Sequence, residues 1–404
     1  MRLLYLTIDG LPTSRPDIAA LWGKYLPLYG VTCDMVTVRT ADAADDAALW
    51  SAGRALTIVR RGNALLNGLA DFAHDCRRLW QAQNADYSAI QLRDKTFVGL
   101  VALAVARRRG LPFFYWMSFP YGASLLQLGR TDAVRRDWPR RLYLWWRGGI
   151  GDWLLHRIVL RHADHVFVQS DRMAEDLVAR GINRARMTPV PMGIDPDRFP
   201  SILPPAALTG IPAGARVLGY LGEASKARRM DFLINAVASA RATMPDIYLL
   251  IVGDAIHPEE QAWLRACVAK AGLADRCRIT GWVAPDAATA TLAAAEICLA
   301  LMAPDPILDS TTPTKLVEYL AMGRPVVAND HPNQSRVVTE SGAGIVARYT
   351  VADYSAAIVT LLEQRAAHGT MAQQGRRYVL AERAYPAIAA RLAAHYRTLT
   401  GREN

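Results

Sequence analysis

Short apolar runs alternate along the first half of the chain with longer segments whose apolar residues recur at helical spacing. Buried strands are predicted over four of these runs, residues 3–8, 85–92, 112–117 and 165–168. Helices are predicted over 97–108 and 171–180, where Gly110 and Gly181 favour termination. Strands that alternate with helices form parallel sheets covered on both faces, so this half is expected to be a Rossmann-like α/β domain.

The same alternation restarts after a proline-rich stretch. Residues 199–213 contain Pro200, Pro204, Pro205 and Pro212 and predict a linker. Beyond it, strands are predicted over 217–221, 248–252, 278–282, 297–301 and 325–328, with a helix over 231–243. We therefore expect two Rossmann-like domains that face each other across a cleft, one over 1–198 and one over 214–384. Ligands of such sheets bind beyond the carboxyl ends of the strands.

Composition and charge narrow the class of protein. The 404 residues are 51% hydrophobic and 21% charged, as in soluble globular proteins. The net charge is +10, and residues 1–200, with 27 basic against 19 acidic side chains, hold most of it. This asymmetry indicates an anionic partner for the first domain: a membrane surface, a lipid phosphate or a nucleic acid.

Several other classes are disfavoured by what the sequence lacks. The five cysteines form no CxxC, and neither GxGxxG nor GxxxxGK[ST] occurs. Asp9 ends the first apolar run too early for a signal peptide, and no apolar run approaches the ~20 residues of a spanning helix. We expect a cytoplasmic protein, with the inner face of the membrane as a further possibility.

The most informative segment covers residues 309–327, DSTTPTKLVEYLAMGRPVV. It predicts a loop, a short helix capped by Thr312 with Pro313 in the first position, a stop at Gly323, and a strand. Lys315 in the first turn opposes the helix dipole unless an anion docks beside it. Glu318 lies on the same helix face and could accept hydrogen bonds from a ribose diol. A solvated Lys–Glu pair is the alternative interpretation.

This segment resembles the donor-binding segment of GT-B glycosyltransferases of family 4. Other segments resemble that family in the right order: residues 189–199 as the turn into the second domain, 222–236 as its first phosphate loop and helix, then 250–254 and 280–283. The resemblance is strong over about residues 160–345 and weaker in the N-terminal domain. It also implies that a last helix, about 385–404, crosses back to pack on the N-terminal domain.

The resemblance implies roles for individual residues on the donor side. Glu318 would bind the ribose hydroxyls of a nucleotide-diphosphate sugar, and Arg228 would take the place of the family's phosphate-binding lysine. The remaining donor-side residues implied are Gly222, Lys226, Gly281, Trp282, Val283, Asp309, Ser310, Thr311, Thr312, Thr314 and Lys315. No metal or other cofactor is expected, because Lys226, Arg228 and the helix terminus could neutralise the leaving diphosphate.

The sequence also departs from the family pattern. Glu223 stands where an arginine usually follows the glycine of the first phosphate loop, and Lys226 is expected to compensate. Ser310 replaces the family's first glutamate, and Asp309 beside it could take over the contact with the donor sugar. Ser118 is the expected replacement for a histidine of the N-terminal domain.

Two carboxylates are candidates on the acceptor side. Asp9 and Asp94 each follow a predicted strand, where side chains of the cleft lie. Either could orient or deprotonate an acceptor hydroxyl, and Gly10 and Ser118 are placed on the same side. Ordinary loop capping, or a local pair between Arg93 and Asp94, is the alternative interpretation. Asp195 and Asp197 form a DxD match, which we interpret as a turn and not as a metal site.

Residues 135–147, RRDWPRRLYLWWR, mix arginines with aromatic residues, and Trp153, His156 and Arg157 follow. A patch of Arg140, Arg141, Trp145, Trp146 and Arg147 suits a membrane interface, which we favour. Single-stranded nucleic acid and a simply solvated helix are the alternatives. A polyprenyl-linked acceptor would be consistent with such a basic domain.

The residues and the resemblance together predict a glycosyltransferase, and the resemblance implies that it is retaining. It would move a hexosyl group from a nucleotide-diphosphate sugar to a glycan or lipid-linked acceptor in surface polysaccharide or glycolipid synthesis. The alternatives are a sugar-nucleotide epimerase of the same fold and a non-catalytic relative that binds a nucleotide sugar or a partner. A nucleic-acid-binding protein is disfavoured.

Overall fold

A computed structural model describes residues 1–13, 15–39, 49–131, 137–200 and 210–401. The chain divides into two compact units: Met1–Met192 with Tyr385–Asn404 form the first, and Gly193–Ala384 form the second. Most of the linker predicted over 199–213 lies outside the described residues.

The first unit is built on a seven-stranded parallel sheet. Its strands are β1 (Arg2–Thr7), β2 (Thr32–Arg39), β3 (Ala55–Val59), β4 (Ala89–Arg93), β5 (Phe113–Met117), β6 (His165–Val168) and β7 (Met187–Pro189). They lie in the order β3-β2-β1-β4-β5-β6-β7. The change of direction beside β1 brings the ends of β1 and β4 together, with Thr7 opposite Arg93.

Both faces of this sheet are covered, because alternate side chains of each strand enter different cores. Leu4 and Leu6 of β1 join one buried apolar cluster, whereas Leu3 and Tyr5 join another. The second cluster also receives six side chains of the helix Tyr385–Leu399, which therefore belongs to this unit.

The second unit contains a six-stranded parallel sheet. Its strands are β8 (Arg216–Leu221), β9 (Ile247–Val252), β10 (Cys277–Ile279), β11 (Ile297–Ala300), β12 (Val326–Asn329) and β13 (Gly344–Ala347), in the order β10-β9-β8-β11-β12-β13. Leu249 and Ile251 of β9 face one core, and Leu250 and Val252 face the other.

Helices connect the strands in both units. The α-helices of the first unit are Leu26–Leu28, Ala64–Gln81, Thr96–Arg109, Tyr121–Leu128, Trp138–Trp145, Gly151–Leu154, Leu160–His162, Asp171–Ala179 and Tyr385–Leu399. Those of the second are Met230–Thr243, Pro258–Lys270, Pro285–Leu292, Thr314–Ala321, Pro332–Ser341, Val351–Glu363 and His368–Tyr378. Stretches with π-type hydrogen bonding are Asp17–Tyr25, Trp146–Ile150, Leu155–Val159 and Val379–Arg383. Single 3₁₀ turns are Arg184–Arg186, Pro196–Arg198, Lys226–Arg228, Leu308–Ser310 and Arg365–Ala367.

The predicted parallel sheets are thus confirmed in both halves of the chain. The strand over 165–168 has the predicted bounds. The predicted strand over 85–92 was too long at its start, because β4 begins at Ala89. The strand predicted over 278–282 ends at Ile279, so Gly281 and Trp282 lie in the following loop.

Candidate functional site

The carboxyl ends of β8 and β9 meet at two glycines. Gly222 has φ +111° and Gly253 has φ +135°, where an L side chain is strained. A Cβ atom on Gly253 would lie 2.3 Å from the carbonyl oxygen of Gly222, so the two loops approach with no room for a side chain. Gly253 N–H also donates to the Thr280 hydroxyl at 3.0 Å, which ties the loop after β10 to the same place.

The helix Thr314–Ala321 begins beside these loops. The predicted cap was wrong by one residue: Pro313 is the N-cap, with ψ 126°, and Thr312 is not the cap. Proline fixes φ near −65° in either position, so the sequence did not distinguish N-cap from first helical residue. Pro313 offers no side-chain acceptor to the amides of the first turn, so these amides can donate to an incoming ligand. The predicted left-handed stop at Gly323 is confirmed, with φ +66°.

Lys315 points from this first turn toward β8. Its Nζ donates to the Tyr220 hydroxyl at 2.7 Å and lies 4.3 Å from the centre of the Tyr220 ring. Burial, together with the charge of Arg228, lowers the pKa of Lys315 from 10.5 to about 7. A Cβ atom on Gly222 would lie 2.9 Å from Lys315 Cε, so that glycine leaves space for this amine.

Glu318 lies one turn further along the helix and is partly buried. Its carboxylate makes no hydrogen bond or ion pair with any residue that the structure describes. Burial raises the pKa of Glu318, while the charges of Arg198 and Lys315 act to lower it. A buried carboxylate without a donor is costly, which is the condition expected of a group that accepts hydrogen bonds from a ligand.

The predicted basic residues after β8 occupy a short 3₁₀ turn, Lys226–Arg228. Arg228 is exposed, its Nε lies 4.0 Å from a carboxylate oxygen of Glu223, and its charge reaches both Tyr220 and Lys315. Lys226 instead lies over the Trp263 ring, with Nζ 5.6 Å from the ring centre. Arg228 is thus electrostatically coupled to Lys315, whereas Lys226 is engaged by an aromatic ring.

The loop before the helix contains the remaining donor-side residues. Ser310 is buried and its hydroxyl donates to the Ile307 carbonyl at 2.8 Å, while the Thr311 hydroxyl donates to the Leu308 carbonyl at 2.7 Å. These two hydroxyls shape the loop. Thr312 is also buried, and Asp309 and Thr314 are partly exposed.

The loop after β10 presents an aromatic side chain. Gly281 has φ +73°, Trp282 is 62% exposed, and Val283 packs against the apolar core. An indole this exposed at a strand end is available to a flat ligand ring.

In the first unit, a charged cluster gathers at the ends of β1, β4 and β5. Arg93 is fully buried and its Nη2 donates to Asp17 at 2.6 Å, while its Nε lies 3.2 Å from Asp9. The pair between Arg93 and Asp94 that the sequence offers as an alternative is present at 3.7 Å, although Asp17 and Asp9 lie nearer to Arg93. Asp9 is further held by Arg15 at 3.4 Å.

Asp94 has a different environment. It has φ +55° and a buried carboxylate that accepts hydrogen bonds from the Ser118 amide, at 3.0 Å, and from the Ser118 hydroxyl. Burial raises its pKa from 3.8 to about 6, against the opposing effects of Arg93 and Ser118. The structure therefore places Ser118 and Asp94 together, while Asp9 is tied to two guanidinium groups. Gly10 lies in the loop just before Leu11, whose amide donates to the Val38 carbonyl.

The aromatic and basic segment forms the helix Trp138–Trp145 and the π stretch Trp146–Ile150. Arg140, Arg141, Trp145, Trp146 and Arg147 are all exposed, whereas Arg135 and Arg136 lie outside the described residues. The Arg141 guanidinium lies 5.9 Å from the Trp145 ring centre, and Trp146 stacks on Phe97 with ring centres 5.6 Å apart.

Sequence reasoning missed three residues of the donor-side cluster: Tyr220, Gly253 and Arg198. Tyr220 is two residues before Gly222 on a strand and has no polar pattern around it that would signal a contact with Lys315. Gly253 ends a predicted strand, and a glycine directly after a buried strand is the signal that could have identified it. Arg198 reads from sequence as part of a turn.

In the described ranges, no group of three or more His, Cys, Asp or Glu side chains is arranged to hold a metal ion. Asp195 caps the 3₁₀ turn Pro196–Arg198 by accepting from the Asp197 amide at 3.2 Å. Within the same ranges, no helix is long and apolar enough to cross a bilayer.

Two units, each built on a parallel sheet with helices on its faces, are the two Rossmann-like domains of the GT-B class. Residues 24–193 match the family model described as Glycosyl transferase 4-like domain, and residues 215–364 match Glycosyl transferases group 1. The chain is therefore a glycosyltransferase, and it belongs to the GT-B glycosyltransferases of family 4 type.

The chain is also similar to individual proteins. It is 24% identical over 344 residues to a 2-deoxystreptamine glucosyltransferase from Streptomyces kanamyceticus, covering 83% of each chain. Among solved structures, a sucrose-phosphate synthase from Thermosynechococcus elongatus has a TM-score of 0.70 at 19% identity and covers all of both chains. Anabaena HepE in complex with UDP has a TM-score of 0.69 at 16% identity, covering 98% of this chain and 100% of that chain.

Proposed function

We propose that this glycosyltransferase is retaining and moves a hexosyl group from a nucleotide-diphosphate sugar to a glycan or lipid-linked acceptor. The observation that carries the proposal is that two unusual side chains lie on one turn of helix. Lys315 has a pKa lowered to about 7, and the Glu318 carboxylate has no hydrogen-bond donor among the described residues. Among the same residues Lys315 has no anionic partner, only the Tyr220 hydroxyl, and a nucleotide diphosphate would supply a phosphate for Lys315 and ribose hydroxyls for Glu318.

In this proposal the diphosphate lies beside Gly222, Lys315 and the first-turn amides of the helix. A glycine with φ +111° lets the backbone approach the phosphates, and uncapped amides donate to phosphate oxygens. Arg228 adds a guanidinium that can hold phosphate oxygens bidentately. As the bond to the sugar breaks, these positive groups stabilise the charge that develops on the leaving phosphate. We propose that no resident metal is required for this.

The nucleoside would lie next to the diphosphate, at the strand ends of the second unit. Glu318 would accept two hydrogen bonds from the ribose diol, and Trp282 would offer its exposed indole to the base beside Gly281 and Val283. The donor sugar would lie at the loop of Asp309, Thr311, Thr312 and Thr314, whose shape Ser310 fixes through its bond to the Ile307 carbonyl. HepE has been solved in complex with UDP-glucose, which supports a UDP-sugar as the first donor to try.

The first unit would bind the acceptor at Asp94. Its carboxylate, with a pKa of about 6, is held by Ser118 and is mostly ionised at neutral pH. In a retaining reaction the leaving phosphate can take the acceptor proton on the same face of the sugar, so Asp94 would orient the hydroxyl. Asp9 would be a weaker candidate, because two arginines already engage it.

We further propose that the exposed aromatic and basic segment at Arg140–Arg147 makes peripheral contact with a membrane, where a polyprenyl-linked acceptor would be found. Tryptophan and arginine are the side chains typical of a membrane interface. Surface polysaccharide or glycolipid synthesis is the corresponding role.

A donor panel tests this proposal. The pure protein is incubated with UDP-, GDP- and ADP-hexoses, nucleotide release is followed, and the anomeric configuration of the product is read by NMR. We expect release from one donor, retention of configuration, and loss of release in Glu318→Gln but not in the exposed control Glu363→Gln. Epimerisation of a donor without release would support the isomerase alternative, and an inverted product would contradict the retaining mechanism.

A further inference from the structure

A cationic pocket lies in the first unit, and its lining includes neither Asp9 nor Asp94. It has a volume of about 410 Å³ and lies where the helical stretch through residues 149–161 meets the end of the helix Asp171–Ala179. Its polar lining consists of Asp152, His156, Arg157, Arg161 and Arg180, with Trp153 at one side.

The carboxylate that lines this pocket, Asp152, already contacts basic side chains of the same pocket. Asp152 accepts from Arg180 Nη1 at 2.8 Å, and its other oxygen lies 3.4 Å from His156 Nδ1. Arg157 and Arg161, in contrast, form no hydrogen bond or ion pair with any residue in the described ranges, and Nε of Arg161 is buried without an acceptor. The guanidinium groups of Arg157 and Arg161 therefore lie one helical turn apart in this pocket, and neither is paired with an acidic side chain of the described residues.

The pocket opens beside an exposed apolar face. Trp146, Ile150 and Trp153 recur at intervals of four and three residues, and they are 50%, 46% and 57% exposed. Arg157 continues the same spacing into the pocket. Leu142, on the preceding helix, is 62% exposed as well.

This combination identifies the chemistry of the ligand. A guanidinium holds phosphate oxygens bidentately, and indole rings settle at the level of lipid headgroups. The aliphatic side chains of Ile150 and Leu142 gain nothing from stacking on nucleic-acid bases but gain from burial at the acyl boundary. An anionic lipid fits both the charge and the apolar face.

We propose that this pocket binds the phosphate of an anionic lipid headgroup while Trp146, Ile150 and Trp153 insert at the bilayer interface. The inference rests on the membrane contact proposed above and is independent of the donor site. It goes beyond general attraction to a charged surface, because it predicts a preference for an exposed phosphate monoester over other anionic headgroups. One additional charge-assisted contact, to the second negative charge of the monoester, corresponds to about a tenfold preference.

Vesicle co-sedimentation tests the pocket. Phosphatidylcholine vesicles carry either phosphatidic acid or phosphatidylserine, adjusted to the same surface potential. We expect the wild-type protein to prefer phosphatidic acid about tenfold and the Arg157→Gln/Arg161→Gln variant to lose that preference. The charge-matched Arg140→Gln/Arg141→Gln variant should weaken binding to both vesicles alike and keep the preference.

Three results would overturn the inference. They are a wild-type protein without the preference, a pocket variant that keeps it, and a pocket variant whose main loss is binding to single-stranded RNA. Thermal unfolding of each variant shows that it is folded. Nucleotide release from a soluble donor, measured on the same samples, reports on the proposed transferase site separately, so that its failure is distinguishable from failure of the lipid site.

Discussion

The lowered pKa of Lys315 makes nucleotide binding depend on pH in a defined direction. In the protein alone the Lys315 amine is mostly neutral above about pH 7, because burial and the charge of Arg228 disfavour its protonated form. A diphosphate beside Nζ restores the charge, so binding draws a proton from solution. At pH 8 about 0.9 proton should be taken up per nucleotide, and each further pH unit should weaken binding by about tenfold.

Isothermal titration calorimetry in buffers of different ionisation enthalpy measures that proton uptake. The nucleotide released in the donor panel is titrated between pH 7 and 9, where its terminal phosphate is mostly ionised. We expect Lys315→Gln to bind more weakly at pH 7 and to show no proton uptake. Lys270→Gln, at the exposed end of the helix Pro258–Lys270, serves as the matched control.

Affinity that does not change between pH 7 and 9, with no proton uptake by the wild-type protein, would refute the reasoning. So would a Lys315→Gln variant that binds as the wild-type protein does. Either result would mean that the diphosphate does not lie beside this amine.

Three further predictions follow from the geometry. Gly222→Ala and Gly272→Ala should each cost about 1–2 kcal/mol of unfolding free energy, since both glycines have positive φ, but only Gly222→Ala should weaken nucleotide binding in the same calorimetric assay. The kcat/KM of the wild-type protein should fall below about pH 6 as Asp94 becomes protonated, and a pH profile of Asp94→Asn should lack that limb; an unchanged limb would exclude Asp94. His165 contacts His395 at 3.1 Å, and burial lowers its pKa from 6.5 to about 4, so the unfolded chain binds the extra proton between these pH values. Stability should therefore fall by about 2 kcal/mol as pH drops from 6.5 to 4, and urea unfolding of His165→Asn should show a smaller change.

The parallel sheets could be predicted because buried strands occur in the sequence as short apolar runs. β6 was predicted to the residue, since His165–Val168 is bounded by Asp164 before it and by polar residues after it. β2, Thr32–Arg39, was not predicted, because Asp34 and Thr37 interrupt its apolar pattern although both are buried. Asp34 is tolerated there because Arg2 and Arg54 pair with it, and both are distant in sequence.

In the candidate site, too, local sequence patterns predicted some residues, while contacts between residues distant in sequence were not predictable. Lys315 and Glu318 were predictable because one helical turn links them locally. The burial that lowers the pKa of Lys315 depends on Tyr220, which is 95 residues away in sequence. Arg93 and Asp17 are 76 residues apart, so their ion pair also lay beyond any local pattern.

The central claim is that a nucleotide diphosphate binds at the strand ends of the second unit. A crystal structure with the nucleotide released in the donor panel tests it most directly. The account predicts the ribose hydroxyls within hydrogen-bond distance of Glu318 and a phosphate oxygen within hydrogen-bond distance of Lys315 Nζ. A nucleotide bound elsewhere, with Lys315 still donating to Tyr220 and Glu318 without a partner, would contradict it.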